Sequence, residues 1–363
     1  MTIDPPRGHA PSIRDVARVA GVSHQTVSRV LNNHSSLRDE TRARVLAAME
    51  ELQYRPNRAA RALSNGRSRT IGVLSASSAQ YGPASSIAAI EDAAREAGFY
   101  VSTAILRAVD PESIEAALDH LIYQSVEGIV VIAPQVRVFD VLDRMCVDVP
   151  WVGLQSSGRA RHPALSADQI AGARLATRHL IDLGHREIIH LAGPQDWMEA
   201  EARMRGFLDE IDSAELRTHP PILGDWTADF GYFAGQELLA QRDFSAVFAA
   251  NDQMALGLLH ALRDGGVAVP GDVSVVGFDD IPLARHAWPP LTTVHQDFAE
   301  IGRRAVRGLL AEVRGVATAD AGTEQSLSRL VVRESTGLAP ATRLPLPKRY
   351  GTQLDSAARR GHD

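Results

Sequence analysis

The chain has 363 residues and a formal net charge of −6, with 45% hydrophobic and 23% charged residues. That length supports two or three domains, and the composition is ordinary for a globular protein. Cys146 is the only cysteine, which excludes an intrachain disulfide and a cysteine-rich metal site and fits a reducing cytoplasm. No apolar run is long enough to span a membrane, and "MTIDPPRGHA" has no apolar signal segment. A cytoplasmic protein without membrane contact is expected.

Charge is uneven along the chain. Residues 1–68 carry eleven Arg and six Asp or Glu, a balance of +5, which leaves −11 for the remainder. A basic head on an acidic body suits a nucleic-acid-binding module joined to another function.

Residues 1–11 read as a disordered tail. In "SIRDVARVA", Ser12 followed three residues later by Asp15 is a capping-box pattern that starts a helix, with Ile13, Val16, Ala17 and Ala20 on its apolar face. Gly21 supplies a turn and Ser23 can cap the next helix. That helix, "SHQTVSRVLNNH", sorts Val27, Val30 and Leu31 onto one side and His24, Gln25, Ser28, Arg29 and Asn32 onto the other. A third helix from about Asp39 should turn Val45, Leu46, Met49 and Leu52 inward. The three make a helix-turn-helix domain over 12–56. The stretch 57–69, Arg-rich and too short to be stable alone, reads as a linker that becomes helical only when docked.

From Thr70 short apolar strands alternate with helices. Nine strands are expected, at "TIGVLSA", "FYVSTAIL", "EGIVVIAP", "VPWVGLQ", "REIIHLAGP", "PPILGDW", "SAVFAAND", "DVSVVGFDD" and "LSRLVVRE". This alternation implies parallel sheets covered on both faces, and so many units imply two α/β lobes. The first lobe is placed at about 70–166 and 297–325, the second at about 167–296 and 326–338, within a core of 70–340. The tail 341–363 is expected to be disordered. It lacks leucine heptads, which favours a dimer over a tetramer.

The stretches "IRDVARVAGVSHQTVSRVLN", "RPNRAARAL", "LGHREIIHLAGP", "ANDQMALG", "VPGDVSVVGFDD" and "PPLTTVHQDF", in this order, resemble the lactose/galactose-repressor (LacI/GalR) family of bacterial transcription regulators. The likeness runs from about Ser12 to Leu338. It implies an all-α helix-turn-helix headpiece, a hinge helix and a two-lobed α/β core like that of periplasmic binding proteins. It also implies a homodimer that binds double-stranded operator DNA and an effector held between the lobes.

On that resemblance His24, Gln25 and Arg29 occupy base-reading positions. Gln can pair with adenine and Arg with guanine in the major groove. His24 stands where lactose-type members carry tyrosine, so the preferred half-site should differ. Ser23, Thr26, Ser28, Asn32 and Thr41 are candidate phosphate positioners, with Arg14 and Ser36 weaker ones. In the hinge, Asn57 can cap, Ala60 lies near the minor-groove floor and Leu63 takes the position of a leucine wedge between base pairs. Leu63→Ala is expected to keep the fold and weaken DNA binding.

Ligands of open α/β sheets bind beyond the carboxyl ends of the strands. Trp226 offers a flat face to a pyranose ring, and polar strand-end residues can pair with hydroxyls. By resemblance Arg203, Trp226, Asn251, Gln253, Asp279 and Phe298 match effector-contacting positions. Ala76, Gln80, Gly82, Pro83 and Ser86 should line the opposite wall. "GDW", "ANDQ" and "QDF" are nearest to the lactose-type members, which implies a galactoside-like sugar. There are departures: Gln155 replaces a carboxylate, and Arg107 aligns only loosely with a cleft arginine.

No nucleophile stands out among the serines, and adjacent Asp279 and Asp280 should point to opposite faces of a strand, so no enzyme and no cofactor are expected. His179, His185 and His190 lack metal-ligand spacing and read as surface or strand-end residues. The combined expectation is a sugar-released repressor of a carbohydrate-utilisation operon. The alternatives are a regulator of the same family that needs a corepressor such as a purine, and a sugar-binding enzyme or transport-type binding protein.

Overall fold

The computed structural model describes residues 11–31, 37–55, 67–76, 80–133, 135–145, 148–154, 168–217, 219–241, 243–316 and 328–341. The chain divides into two compact units, residues 1–69 and 70–363.

The first unit holds α1 (Ile13–Ala20), α2 (His24–Leu31) and α3 (Asp39–Glu51). The capping box forms: Ser12 N donates to Asp15 Oδ2 at 2.9 Å, and the Ser12 side chain accepts from Asp15 N. Gly21 ends α1 with φ +63°, a left-handed turn in which any side chain would be strained. Val16, Val27 and Val45 are fully buried at the centre. Leu46 departs from expectation, being 51% exposed, while Ala48 takes the inner face. Successive helical residues are 100° apart, so the row that starts at Val45 continues through Ala48, Met49 and Leu52 and leaves Leu46 beside it.

The second unit contains two sheets. The four-stranded one has the order β2-β1-β3-β4, all parallel, from β1 (Thr70–Ser75), β2 (Tyr100–Ile105), β3 (Ile129–Ile132) and β4 (Trp151–Gly153). Around it stand α4 (Tyr81–Glu96), α5 (Pro111–Tyr123) and α6 (Val136–Arg144). Every residue of β3 is buried, as a parallel strand covered on both faces requires. The helix α6, within "VRVFDVLDR", has no counterpart in the sequence reading.

The six-stranded sheet is built from β5 (Ile188–Ala192), β6 (Ile222–Leu223), β7 (Ala246–Ala249), β8 (Ser274–Asp279), β9 (Thr292–His295) and β10 (Arg329–Val331), in the order β10-β9-β8-β7-β5-β6. Packed with it are α7 (Gln169–Asp182), α8 (Met198–Ser213), α9 (Ala228–Gln241) and α10 (Asp252–Asp264). The strand β9 was not expected. It pairs parallel with β8 and antiparallel with β10, so this sheet is mixed. The last helix, α11 (Phe298–Val313), follows β9 yet packs on the first sheet, its Ile301, Ala305 and Leu309 buried against Ile71, Val73 and Val130. Burying each such aliphatic contributes roughly 1.5–3 kcal/mol.

Two histidines expected at the surface or at strand ends lie in the core instead. His190 is fully buried and stacks at 4.9 Å on Phe207 and 4.7 Å on Phe248. Burial lowers it to about 4, so it stays neutral. His185 is also fully buried, with its ring nitrogens 2.9 Å from the Ser245 and Ser274 hydroxyls. Both serve packing, one through ring stacking and the other by joining three chain segments.

Candidate functional site

In the first unit one surface is built for contact. The Ser23 hydroxyl accepts from Thr26 N at 3.1 Å and lies 3.0 Å from the Thr26 hydroxyl, so these two residues cap α2 together. His24, Gln25 and Arg29 are exposed, and their side chains form no hydrogen bond with another described residue; Thr26, Ser28 and Thr41 are half-buried. The first turn of α2 holds no acidic residue, leaving the positive end of the helix dipole open to an anion. Arg14 is exposed on α1. Behind α2, Arg44 of α3 donates to the Gly21 carbonyl at 3.4 Å and braces the turn. Asn32, Ser36, Asn57, Ala60 and Leu63 lie outside the described residues.

The second unit has a cleft between its two sheets. Gln80, Gly82, Pro83, Ser86 and Phe298 line one wall. Arg203, Trp226, Asn251 and Asp279 line the other. Ala76 and Gln253 are not among its lining residues: Ala76 packs on the core of the first lobe, and Gln253 is half-buried on α10. Arg107 is exposed and not among the lining residues, and Gln155 lies outside the described residues.

Trp226 is both core and lining, with only 4% of its surface exposed. Its backbone is left-handed, φ 73°, a conformation that costs a bulky residue roughly 1–3 kcal/mol. Three neighbours hold it there. The Asn251 amide donates to its carbonyl at 3.0 Å, while Asn251 Oδ1 caps α10 by accepting from Met254 N. Gly193 leaves room for the ring, since a Cβ there would sit 2.2 Å from the indole. Trp197 meets it edge-on at 5.5 Å.

Beneath the indole runs a closed ring of buried hydrogen bonds. Arg203 Nε donates to Gln169 Oε1 at 2.7 Å, and Gln169 Nε2 donates to Gln296 Oε1 at 2.6 Å. Gln296 Nε2 donates to Asp279 Oδ1 at 2.6 Å, and Arg203 Nη2 closes the circuit onto the same oxygen at 3.2 Å. Arg203 Nη1 also donates to the Ala250 carbonyl, and its guanidinium lies 3.9 Å over the Phe278 ring. Burial holds the Asp279 carboxyl above the usual carboxylate value, the facing Arg203 and the Gln296 hydrogen bond opposing it only in part. Such a ring satisfies groups that would be costly if buried alone.

Several cleft residues escaped sequence reasoning: Tyr81, Gln169, Trp197, Glu199 and Gln296. Gln169 and Gln296 adjoin the capping residues Asp168 and Asp297, and Trp197 and Glu199 flank the start of α8. Each follows a strand-end loop, the one signal that pointed to them. Asp280 faces away from Asp279, accepting from Arg333 Nη2 at 2.5 Å and lying 3.0 Å from His295 Nδ1. Asp225 is spent on its own turn, accepting from Thr227 N at 2.9 Å. The arrangement offers stacking and hydroxyl recognition. Among the described residues no group of His, Cys, Asp and Glu could hold a metal ion, and no helix is long and apolar enough to cross a membrane.

Comparison with known proteins matches residues 12–57 to the profile of "Bacterial regulatory proteins, lacI family" and residues 177–336 to that of a "Periplasmic binding protein-like domain". The lactose operon repressor of Escherichia coli (strain K12) is 35% identical, over 96% of this chain and 96% of its own. The regulator CelR of Thermobifida fusca is 35% identical over 91% of this chain and 99% of its own. The repressor PurR of Haemophilus influenzae (strain ATCC 51907 / DSM 11121 / KW20 / Rd) is 33% identical over 83% of this chain and 91% of its own. Among solved structures, the lac repressor dimer bound to operator and the anti-inducer ONPF superposes with a TM-score of 0.82 at 34% identity, covering 91% of this chain and 100% of that one. The CelR–cellobiose complex gives 0.65 at 33%, covering 90% and 99%.

Proposed function

Since the chain belongs to the lacI family of bacterial regulatory proteins, we propose that it is a cytoplasmic, homodimeric repressor of a carbohydrate-utilisation operon, released from its operator by a sugar. Its relatives of this family are named as transcriptional repressors and regulators, and the exposed, acid-free face of α2 suits a major groove. His24, Gln25 and Arg29 read bases; Ser23, Thr26, Ser28, Asn32 and Thr41 position phosphates. Asn57, Ala60 and Leu63 serve the minor groove.

One observation carries the effector reading. Trp226 is held in a strained conformation with its ring on the cleft, beside the bonded Arg203–Asp279 pair. An aromatic plane next to paired polar groups is the usual recognition of a pyranose, whose ring has an apolar face and a rim of hydroxyls. The cleft lies between sheets joined by the segment from β9 through Gln296 to α11, so a sugar that shifts one lobe pulls on the other.

The test begins with DNA that the protein selects from a random-sequence pool. Thermal-shift screening against galactosides, glucosides, cellobiose, pentoses and purines then finds ligands, and each is titrated into the protein–DNA complex. A sugar that stabilises the protein and weakens DNA binding is expected. Stabilisation by a purine alone, with tighter DNA binding, would overturn the sugar reading in favour of a corepressor.

A further inference from the structure

Among the described residues, two buried polar atoms of the cleft lack a hydrogen-bond partner: Glu199 Oε2 and Trp226 Nε1. The glutamate is the more informative. It stands in the first turn of α8, one helical turn before Arg203. Among the described residues that arginine pairs with Asp279 rather than with Glu199, its three nitrogens donating to Gln169, the Ala250 carbonyl and Asp279. Arg203 is paired with Asp279, so Glu199 adds a further acid to the cleft with no ion-pair partner of its own among the described residues. Its carboxyl is pushed up to about 7 by burial, opposed only by its own backbone N–H and the attraction of Arg203. A group left in this state gains most from a ligand that donates a hydrogen bond to it. A ligand anion would instead meet a like charge where water screens little.

We propose that Glu199 sets the charge selectivity of the cleft: its carboxylate accepts a hydrogen bond from a hydroxyl or ammonium group of the effector, and its charge turns away uronate and phosphorylated sugars. The unpartnered indole N–H of Trp226 supplies a donor to the same ligand. This selectivity rests on the sugar reading above and narrows it to uncharged or amine-bearing sugars.

Isothermal titration of the full chain at pH 8, where Glu199 is ionised, tests the assignment. The probes are galactose, galactosamine, galacturonate and galactose 6-phosphate, the matching glucose series, cellobiose, and hypoxanthine and guanine. The wild type is expected to bind neutral and amino sugars at least tenfold more tightly than their anionic counterparts. Glu199→Gln, nearly the same size, should shrink that gap at least tenfold and weaken the amino sugar most; Glu199→Ala should do the same. A wild type that binds a uronate or sugar phosphate as tightly as the neutral sugar overturns the proposal and leaves the sugar reading standing. So does an unchanged gap in both variants. Binding of purines alone removes both readings. The wild-type series stands by itself if a variant fails to fold.

Discussion

The exposed face of α2 and the floor of the cleft are both polar, yet they are built in opposite ways. On α2, His24, Gln25 and Arg29 reach into solvent without bonding to another described side chain. In the cleft, Arg203, Gln169, Gln296 and Asp279 are buried and bonded into one ring. A large partner such as DNA can bring its own acceptors to side chains that water serves in the meantime. A small ligand enters a site whose floor is already bonded without it, with Glu199 Oε2 and Trp226 Nε1 left to meet the ligand. Substitutions on α2 should therefore act one at a time and spare the fold, while those in the ring should act together and cost stability.

The largest effect is expected from Asp279→Ala, which leaves Arg203 buried without its partner. Urea unfolding should show a loss of about 3–5 kcal/mol. A loss below 1 kcal/mol would mean that the ring is not a unit. Gly193→Ala comes next, since its Cβ would sit 2.2 Å from the Trp226 ring. Overpacking of this kind costs about 1–3 kcal/mol and should displace the indole, so sugar titration should show a collapse in affinity larger than the stability loss explains. Arg29→Ala should weaken binding to the selected DNA by about 1–3 kcal/mol with an unchanged melting temperature. His24→Tyr, in the same assay, should change the preferred half-site more than the affinity for DNA in general.

A pH comparison sharpens the contrast further. Glu199 binds its proton more tightly in the folded chain, at about 7 against an ordinary 4.5. Folding thus takes up a proton between those values, and this contribution to stability falls as pH rises through them and is fully lost above about 7. Its charged neighbours are Arg203 on the same helix, which attracts the carboxylate, and Asp279 on β8, which is bonded to that arginine. Glu199→Gln should flatten the decline between pH 5 and pH 8 by roughly 1–3 kcal/mol. The smallest change is expected from Leu46→Ala, within about 0.5 kcal/mol, because that side chain is mostly exposed.

Most of the architecture was legible because its signals are local. The Ser12–Asp15 capping box, the Gly21 turn and the alternation of apolar runs with amphipathic stretches each report on neighbours in sequence. The strand β9 was hidden because "TTVH" is short and mostly polar by residue type; its first three residues are buried through pairing with β8 and β10 and packing in the core. Leu46 misled because inclusion in an apolar run says less than its angle around the helix. In the cleft, Trp226 and Asp279 could be read from strand ends, and so could the opposed directions of Asp279 and Asp280. Gln253 could not: it is the second residue of α10, where helical rotation carries it away from the wall that Asn251 lines. Glu199 looked like an ordinary first-turn acid, and only the folded chain shows that one of its carboxylate oxygens is buried without a partner.

The cleft also equips the protein to report on itself. Of its four tryptophans, Trp226 and Trp197 lie 5.5 Å apart on the cleft, while Trp288 is 86% exposed. Two indoles that close couple their electronic transitions, giving a near-ultraviolet circular dichroism couplet that a sugar in the cleft would reshape. Iodide should quench Trp288 and leave the cleft pair bright, so occupancy can be followed by emission without a label.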